Sequence, residues 1–198
     1  MVSSCAGPEV DDDDPQSLFD AAERDVSNDK YLFALDKFRK VKNKFPYSKL
    51  SVLSQLRIAD LYYLQESFPE AASSYELFLE LHPKHEKASY ALYRVGESHL
   101  AATPTIIDRD LSSAHKALDA FNSFLRKHPS EDLSNKAREK VVEIRNKLAE
   151  KELMIGNFYK REEKFLAAQK RYEKIIELYP ETVSAKNARE KIPDVSKK

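Results

Sequence analysis

Four prolines, each preceded by the same short apolar pattern, constrain this chain more than any other feature. Count back from Pro46, Pro83, Pro129 and Pro180. Twelve before is always Ala (Ala34, Ala71, Ala117, Ala168), eight before is aromatic (Phe38, Tyr75, Phe121, Tyr172), and five before is apolar (Val41, Phe78, Phe124, Ile175). Offsets that differ by four and three put these side chains on one face of an α-helix. The proline ends that helix, because the residue before it is pushed out of the α region. Twenty-four before the proline stands a second small residue, Ala22, Ala59 or Gly156. In the third segment Gly96 takes that place if nine extra residues, around Thr103 to Arg109, lie between the helices.

A small residue on a first helix lets a second helix pack close. Small, then Ala, then Pro is the tetratricopeptide pattern of two antiparallel helices per unit. The basic spacing is 37 residues (46 to 83), the next is 46, and the last is 51, or 37 plus 14. The extra 14 read as added helix: Ala137, Val141, Ile144 and Leu148 recur at 4, 3, 4, and no Pro or Gly interrupts 130–155. Ser130 ahead of Glu131 and Asp132 reads as an N-terminal cap, which predicts one long helix over roughly 131–161. The fold expected is therefore all-α, a tetratricopeptide-repeat solenoid of about four helical pairs with one long helix in the fourth. The units fall at about 16–46, 49–83, 86–129 and 131–180. A short helix around 184–191 follows, then a tail over 193–198.

Composition narrows the function. The 33 basic and 33 acidic residues balance to zero net charge, whereas a nucleic-acid binder carries a basic excess. Three glycines in 198 residues leave little for a phosphate-cradling loop. One cysteine excludes an intrachain disulfide. His82 and His85 flank a repeat corner but lack further ligands nearby, and no nucleophile–base pairing stands out. Neither an enzyme nor a cofactor or metal site is expected. Asp11 to Asp14, between Pro8 and Pro15, read as a self-repelling, solvated run in a flexible leader over 1–15.

Binding remains. Stacked pairs present their first helices on a common face. One turn from the small positions lie Phe19 and Glu23, then Leu53, Leu56, Asp60 and Tyr63, then Tyr90, Tyr93 and Glu97. This is an aromatic and apolar surface with scattered acids, suited to an extended peptide. Over 134–174 basic residues outnumber acidic ones. Asn157, Lys160, Arg161 and Arg171 there form a candidate dock for an acidic partner, although a solvated helix face explains the same charges.

The order of these features resembles the BamD family of outer-membrane β-barrel assembly lipoproteins over roughly 17–190. The resemblance is carried by Asn43-Lys44-Phe45-Pro46-Tyr47-Ser48, by Ala59 to Tyr63, by Phe78 to His85, by Tyr90-x-x-Tyr93-x-x-Gly96, by the insert with Asp108-Arg109-Asp110, and by the lengthened helix. It implies a non-enzymatic scaffold on the periplasmic face of the outer membrane, held by a lipid on Cys5 in Val2-Ser3-Ser4-Cys5-Ala6-Gly7. Met1 would then not be the native start. Ala6, not Asp, follows the cysteine, which implies outer-membrane sorting. The resemblance also implies that Tyr62, Tyr63, Tyr90 and Tyr93 engage unfolded outer-membrane proteins. It gives Arg171, with Lys160 and Arg161, the role of docking on a POTRA domain of a BamA-like barrel protein. The family often continues through a fifth helical pair. Two other readings stay open: a periplasmic tetratricopeptide adaptor of the cell-division type, and a cytosolic co-chaperone clamping an acidic carboxy-terminus.

Overall fold

A computed structural model describes residues 10–196, and Cys5 lies outside them. Among the described residues there are nine helices: α1 (Pro15–Ser27), α2 (Tyr31–Lys44), α3 (Lys49–Leu64), α4 (Phe68–Leu81), α5 (Ala88–Ala101), α6 (Ser112–Lys127), α7 (Ser134–Arg161), α8 (Phe165–Leu178) and α9 (Val183–Ser196). The fold is all-α and of the tetratricopeptide type. Each repeat proline stands directly after the residue that caps a second helix: Phe45, His82, His128 and Tyr179. The cap N–H still donates four residues back, and the proline then stops the helix.

The turns inside the pairs share one design. Asp29, Glu66 and Glu163 adopt φ near 57°, in the left-handed region where glycine is the usual occupant. Each turn is closed by the N–H of the next residue, from Lys30 to Asp25, Ser67 to Tyr62 and Lys164 to Tyr159, at 2.8–2.9 Å. With so few glycines in the chain, these bonds hold ordinary residues in a strained conformation that costs about 1 kcal/mol each.

The chain forms two compact units that divide between Ser98 and His99. In the first, α1 packs on α2, α2 on α3, and α3 on α4. Ala22, Ala34, Leu35, Phe38, Ile58 and Leu61 make one buried cluster, with Phe19 edge-on to Phe38 at 5.2 Å. The acidic run at 11–14 is exposed over Asp11 to Asp13 and also makes contacts with α1 and α2. Asp14 caps α1 by accepting from Gln16 and Ser17, Asp12 pairs with Lys40, and Asp13 pairs with Lys44. Lys44, in the last turn of α2, faces the negative end of the helix dipole, and Asp13 supplies its counter-charge.

In the second unit α7, 28 residues and about 42 Å long at 1.5 Å per residue, packs against α6, α8 and α9. It starts at Ser134, not 131, because the Ser134 hydroxyl is spent on the His128 carbonyl at 2.7 Å and 130–133 form the turn. The insert, residues 102–111, is held by the long helix. Lys147 Nζ donates to the Pro104 carbonyl at 2.6 Å, and Lys151 Nζ donates to that of Arg109. The two interruptions of the 37-residue spacing therefore meet and support each other. Helix α9 runs to Ser196, past the helix expected at 184–191, because Val195 is only 3% exposed and Asp194 pairs with Lys160 at 2.7 Å.

Gly156 marks a close helix approach. A Cβ there would lie 2.6 Å from Tyr172 Cε1 and 2.9 Å from its Cδ1. Tyr172 is fully buried, so its ring has no room to give. Gly156→Ala is expected to destabilise the protein by about 1–3 kcal/mol in urea denaturation, despite the better helix propensity of alanine.

Candidate functional site

The first unit gathers a polar network around one carboxylate. Leu53, Leu56, Arg57 and Asp60 recur at helical spacing and share one face of α3. Asp60 is 7% exposed. Its Oδ1 accepts from the hydroxyls of Tyr75 (2.5 Å) and Tyr90 (2.8 Å), and its Oδ2 from Arg57 Nη1 (2.9 Å). Arg57 reaches α1 through a two-pronged pair, Nε to Glu23 Oε1 at 2.6 Å and Nη2 to Oε2 at 2.8 Å. Arg94 of α5 donates to Tyr75 at 3.1 Å and to Glu97 at 2.8 Å, with its guanidinium 3.8 Å from the centre of the Tyr63 ring. Four helices are thus tied by alternating charges, and a buried carboxylate is tolerated because its lone pairs are filled.

Protonation follows from burial. Burial first, and then the Asp60 charge, push the Tyr90 hydroxyl up to about 12 and the Tyr75 hydroxyl higher still. Both stay protonated and act as donors. Burial opposes the charge on Arg57, but Glu23 and Asp60 outweigh it and raise its pKa.

Beside this network is a cavity of about 250 Å³ lined by Phe19, Leu53, Leu56, Arg57, Asp60, Lys87 and Tyr90. Its apolar walls come from α1, α3 and α5, and its cations from Arg57 and Lys87. The cavity has room for one large apolar side chain; Arg57 is already paired with Glu23 and Asp60, which leaves Lys87 as the lining cation outside the network.

The sequence-predicted residues divide. Leu56, Asp60 and Tyr90 meet in the cavity. Tyr63 and Glu97 join the network through Arg94, and Tyr63 stacks edge-on to Phe68 at 5.2 Å. Tyr93 is 4% exposed. Burial first, then Glu97, push its hydroxyl up to about 12. Tyr62 does not join them: successive residues of a helix lie 100° apart, and it faces a second cleft, where its hydroxyl accepts from Arg39 at 2.8 Å. Arg57, Arg94, Lys87 and the Tyr75 hydroxyl were not anticipated. A signal for the arginines was present, since Arg57 and Arg94 stand 37 apart, as do Glu23, Asp60 and Glu97 in turn. His82 and His85 instead flank the ring of Phe78, at 5.2 and 5.4 Å.

In the second unit the three predicted docking cations lie at the end of α7 and on α8. Lys160 pairs with Asp194, Arg171 with Glu152 at 2.8 Å, and Arg161 is exposed. Glu152 also accepts from Lys174 at 2.6 Å. Burial alone would push the Glu152 carboxyl up, but Lys174 and Arg171 outweigh it and hold it below its ordinary value.

Residues 11–192 match the YfiO family, described as an outer membrane lipoprotein. The outer membrane protein assembly factor BamD of Vibrio cholerae is 27% identical over 190 residues, covering 91% of this chain and 79% of that protein. The protein of the same name from Caulobacter vibrioides is 30% identical over 149 residues, covering 75% of this chain and 48% of its own length. A solved structure, the first tetratricopeptide domain of Spaghetti (RPAP3) bound to an HSP90 peptide, superposes with a TM-score of 0.52 at 21% identity, covering 72% of this chain and 99% of that one. That likeness bears on the fold alone. Among the described residues no helix is long and apolar enough to cross a membrane.

Two outcomes follow from the geometry. Asp60→Ala strands the buried Tyr75 hydroxyl and leaves the half-buried Tyr90 hydroxyl and Arg57 guanidinium without their shared acceptor, and is expected to cost about 2–4 kcal/mol in urea denaturation. The Glu152 carboxyl is depressed in the folded state, so its contribution is present above the ordinary carboxylate range and is lost as pH falls through it. Glu152→Gln should therefore flatten the acid limb of the stability–pH curve, by on the order of 1 kcal/mol between pH 6 and pH 3.

Proposed function

The chain belongs to the YfiO family of outer membrane lipoproteins, and from that membership we propose that it is a non-enzymatic scaffold of outer-membrane protein assembly. In this reading a lipid on Cys5 holds it to the periplasmic face of the outer membrane. The first unit receives segments of unfolded outer-membrane proteins, and the second unit docks on a POTRA domain of a BamA-like barrel protein through Arg161, Lys160 and Arg171.

One observation carries the substrate half of the proposal: the cavity lined by Phe19, Leu53, Leu56 and Tyr90, with Arg57 and Lys87 on the same lining. A strand-forming segment that ends in an aromatic residue offers the matching parts, a ring for the apolar walls and a terminal carboxylate for Lys87, since Arg57 is already paired with Glu23 and Asp60. The Asp60 network holds the rings and the guanidinium in place beforehand, so little order is lost on binding. Lipid anchoring and docking on the barrel protein keep the cavity close to where segments are inserted. Two weak contacts on one scaffold then exceed either alone.

Binding of a fluorescein-labelled ten-residue peptide ending in Phe, followed by anisotropy, tests the cavity. Lys87→Glu and Leu53→Glu should each weaken binding at least tenfold, with the helical circular dichroism retained. Unchanged affinity in both variants would remove the cavity assignment. For the second unit, Arg161→Glu combined with Lys160→Glu should reduce co-purification with the barrel partner severalfold.

A further inference from the structure

The first unit carries a second cleft that the proposed substrate site does not use. It lies on the side of α3 about 180° from Leu53, Leu56, Arg57 and Asp60 by the helical turn angle. Its volume is about 360 Å³ and its lining is Arg39 and Lys42 from α2, Gln55, Ile58 and Tyr62 from α3, and Ser74, Leu77 and Leu81 from α4. Helix α3 thus lines a cleft on each of two opposite sides.

Two properties of this cleft need explanation. First, Leu77 and Leu81, one turn apart on α4, are 53% and 55% exposed and stand beside Ile58 and Tyr62. Two exposed leucines, backed by the half-buried Tyr62 and the buried Ile58, offer an apolar surface to another chain. Second, its two cations are set apart from their neighbours. Lys37 pairs with Asp25, Lys40 with Asp12 and Asp36, and Lys44 with Asp13. Arg39 and Lys42 have no carboxylate partner among the described residues, and no carboxylate lines the cleft. Arg39 is steadied by the Tyr62 hydroxyl, which aims a guanidinium without neutralising it.

We infer that this cleft docks a short acidic segment of a partner protein, with leucine-type side chains against Leu77, Leu81 and Ile58 and carboxylates on Arg39 and Lys42. Charge decides the occupant. A basic segment would meet two unneutralised cations, and a purely apolar one would leave them unpaired. The Gln55 and Ser74 side chains add hydrogen-bonding groups at the cleft wall.

The test uses the full chain and a fluorescein-labelled hexapeptide amide, Glu-Leu-Asp-Glu-Leu-Leu, read by anisotropy. Two control peptides replace the acids with Lys or the leucines with Ser. The acidic peptide should bind, with affinity falling as salt rises, and both controls should bind at least tenfold more weakly. Lys42→Glu, and separately Leu77→Ser with Leu81→Ser, should weaken it tenfold or more with unchanged circular dichroism. A peptide ending in Phe that fills the other cavity should not compete, so failure of one site is distinguishable from failure of the other. The inference is overturned by no binding of the acidic peptide, by equal binding of the Lys control, by unchanged affinity in the surface variants, or by self-association that vanishes in Leu77→Ser with Leu81→Ser, which would make the occupant a second copy.

Discussion

Close approach of two helices at a small residue is the constraint on which the rest depends. At Gly156 the Tyr172 ring sits where a side chain would otherwise start, and in the first unit Ala22 lies in one buried cluster with Phe38. A ring packed closely against a backbone gains dispersion contacts and apolar burial worth about 1.5–3 kcal/mol per large side chain. It also sets how the second helix meets the first. That in turn sets which residues of the first helices are left to face outward, and the candidate site is built from those.

The residue after each small position shows how the repeat is put to use. It is Glu23, Asp60, Glu97 or Asn157. Where the ring eight before the proline is a tyrosine, its hydroxyl reaches that polar residue: Tyr75 donates to Asp60 and Tyr172 to Asn157. Where the ring is Phe38, the acid Glu23 turns instead to Arg57 of the next first helix. The first is a contact within a pair and the second a bridge between pairs, and Asp60 makes both, since Tyr90 of the next first helix also donates to it. The network in the first unit uses both, which ties α1, α3, α4 and α5 to one carboxylate. Rigidity there places the cavity walls, so stability and proposed binding draw on the same side chains.

The spacing irregularities have a physical use as well. An insert in one repeat and a longer helix in the next each break the 37-residue count, and separately each looks like an accident. Lysines of α7 donate to carbonyls of the insert, which satisfies backbone groups that a loop of this length leaves open. The extension thus gives the insert a surface to lie on.

Much of this was legible beforehand. Periodicity alone dictated helices, their pairing and their ends at prolines, because burial of an apolar stripe and the missing proline N–H act over a few residues. Leu56, Asp60 and Tyr90 could be placed on a common face for the same reason. Adjacent tyrosines could not be sorted by resemblance: Tyr63 lies under Arg94 and Tyr62 faces Arg39, since a helix turns 100° per residue and only packing decides which side becomes which cleft. Ion pairing was equally out of reach. Sequence counts charges, but whether Lys40 meets Asp12, or Arg171 meets Glu152, depends on where distant helices come to rest. The local pattern determined the repeat. The three-dimensional packing alone determined which cations are paired across helices and which have no carboxylate beside them among the described residues.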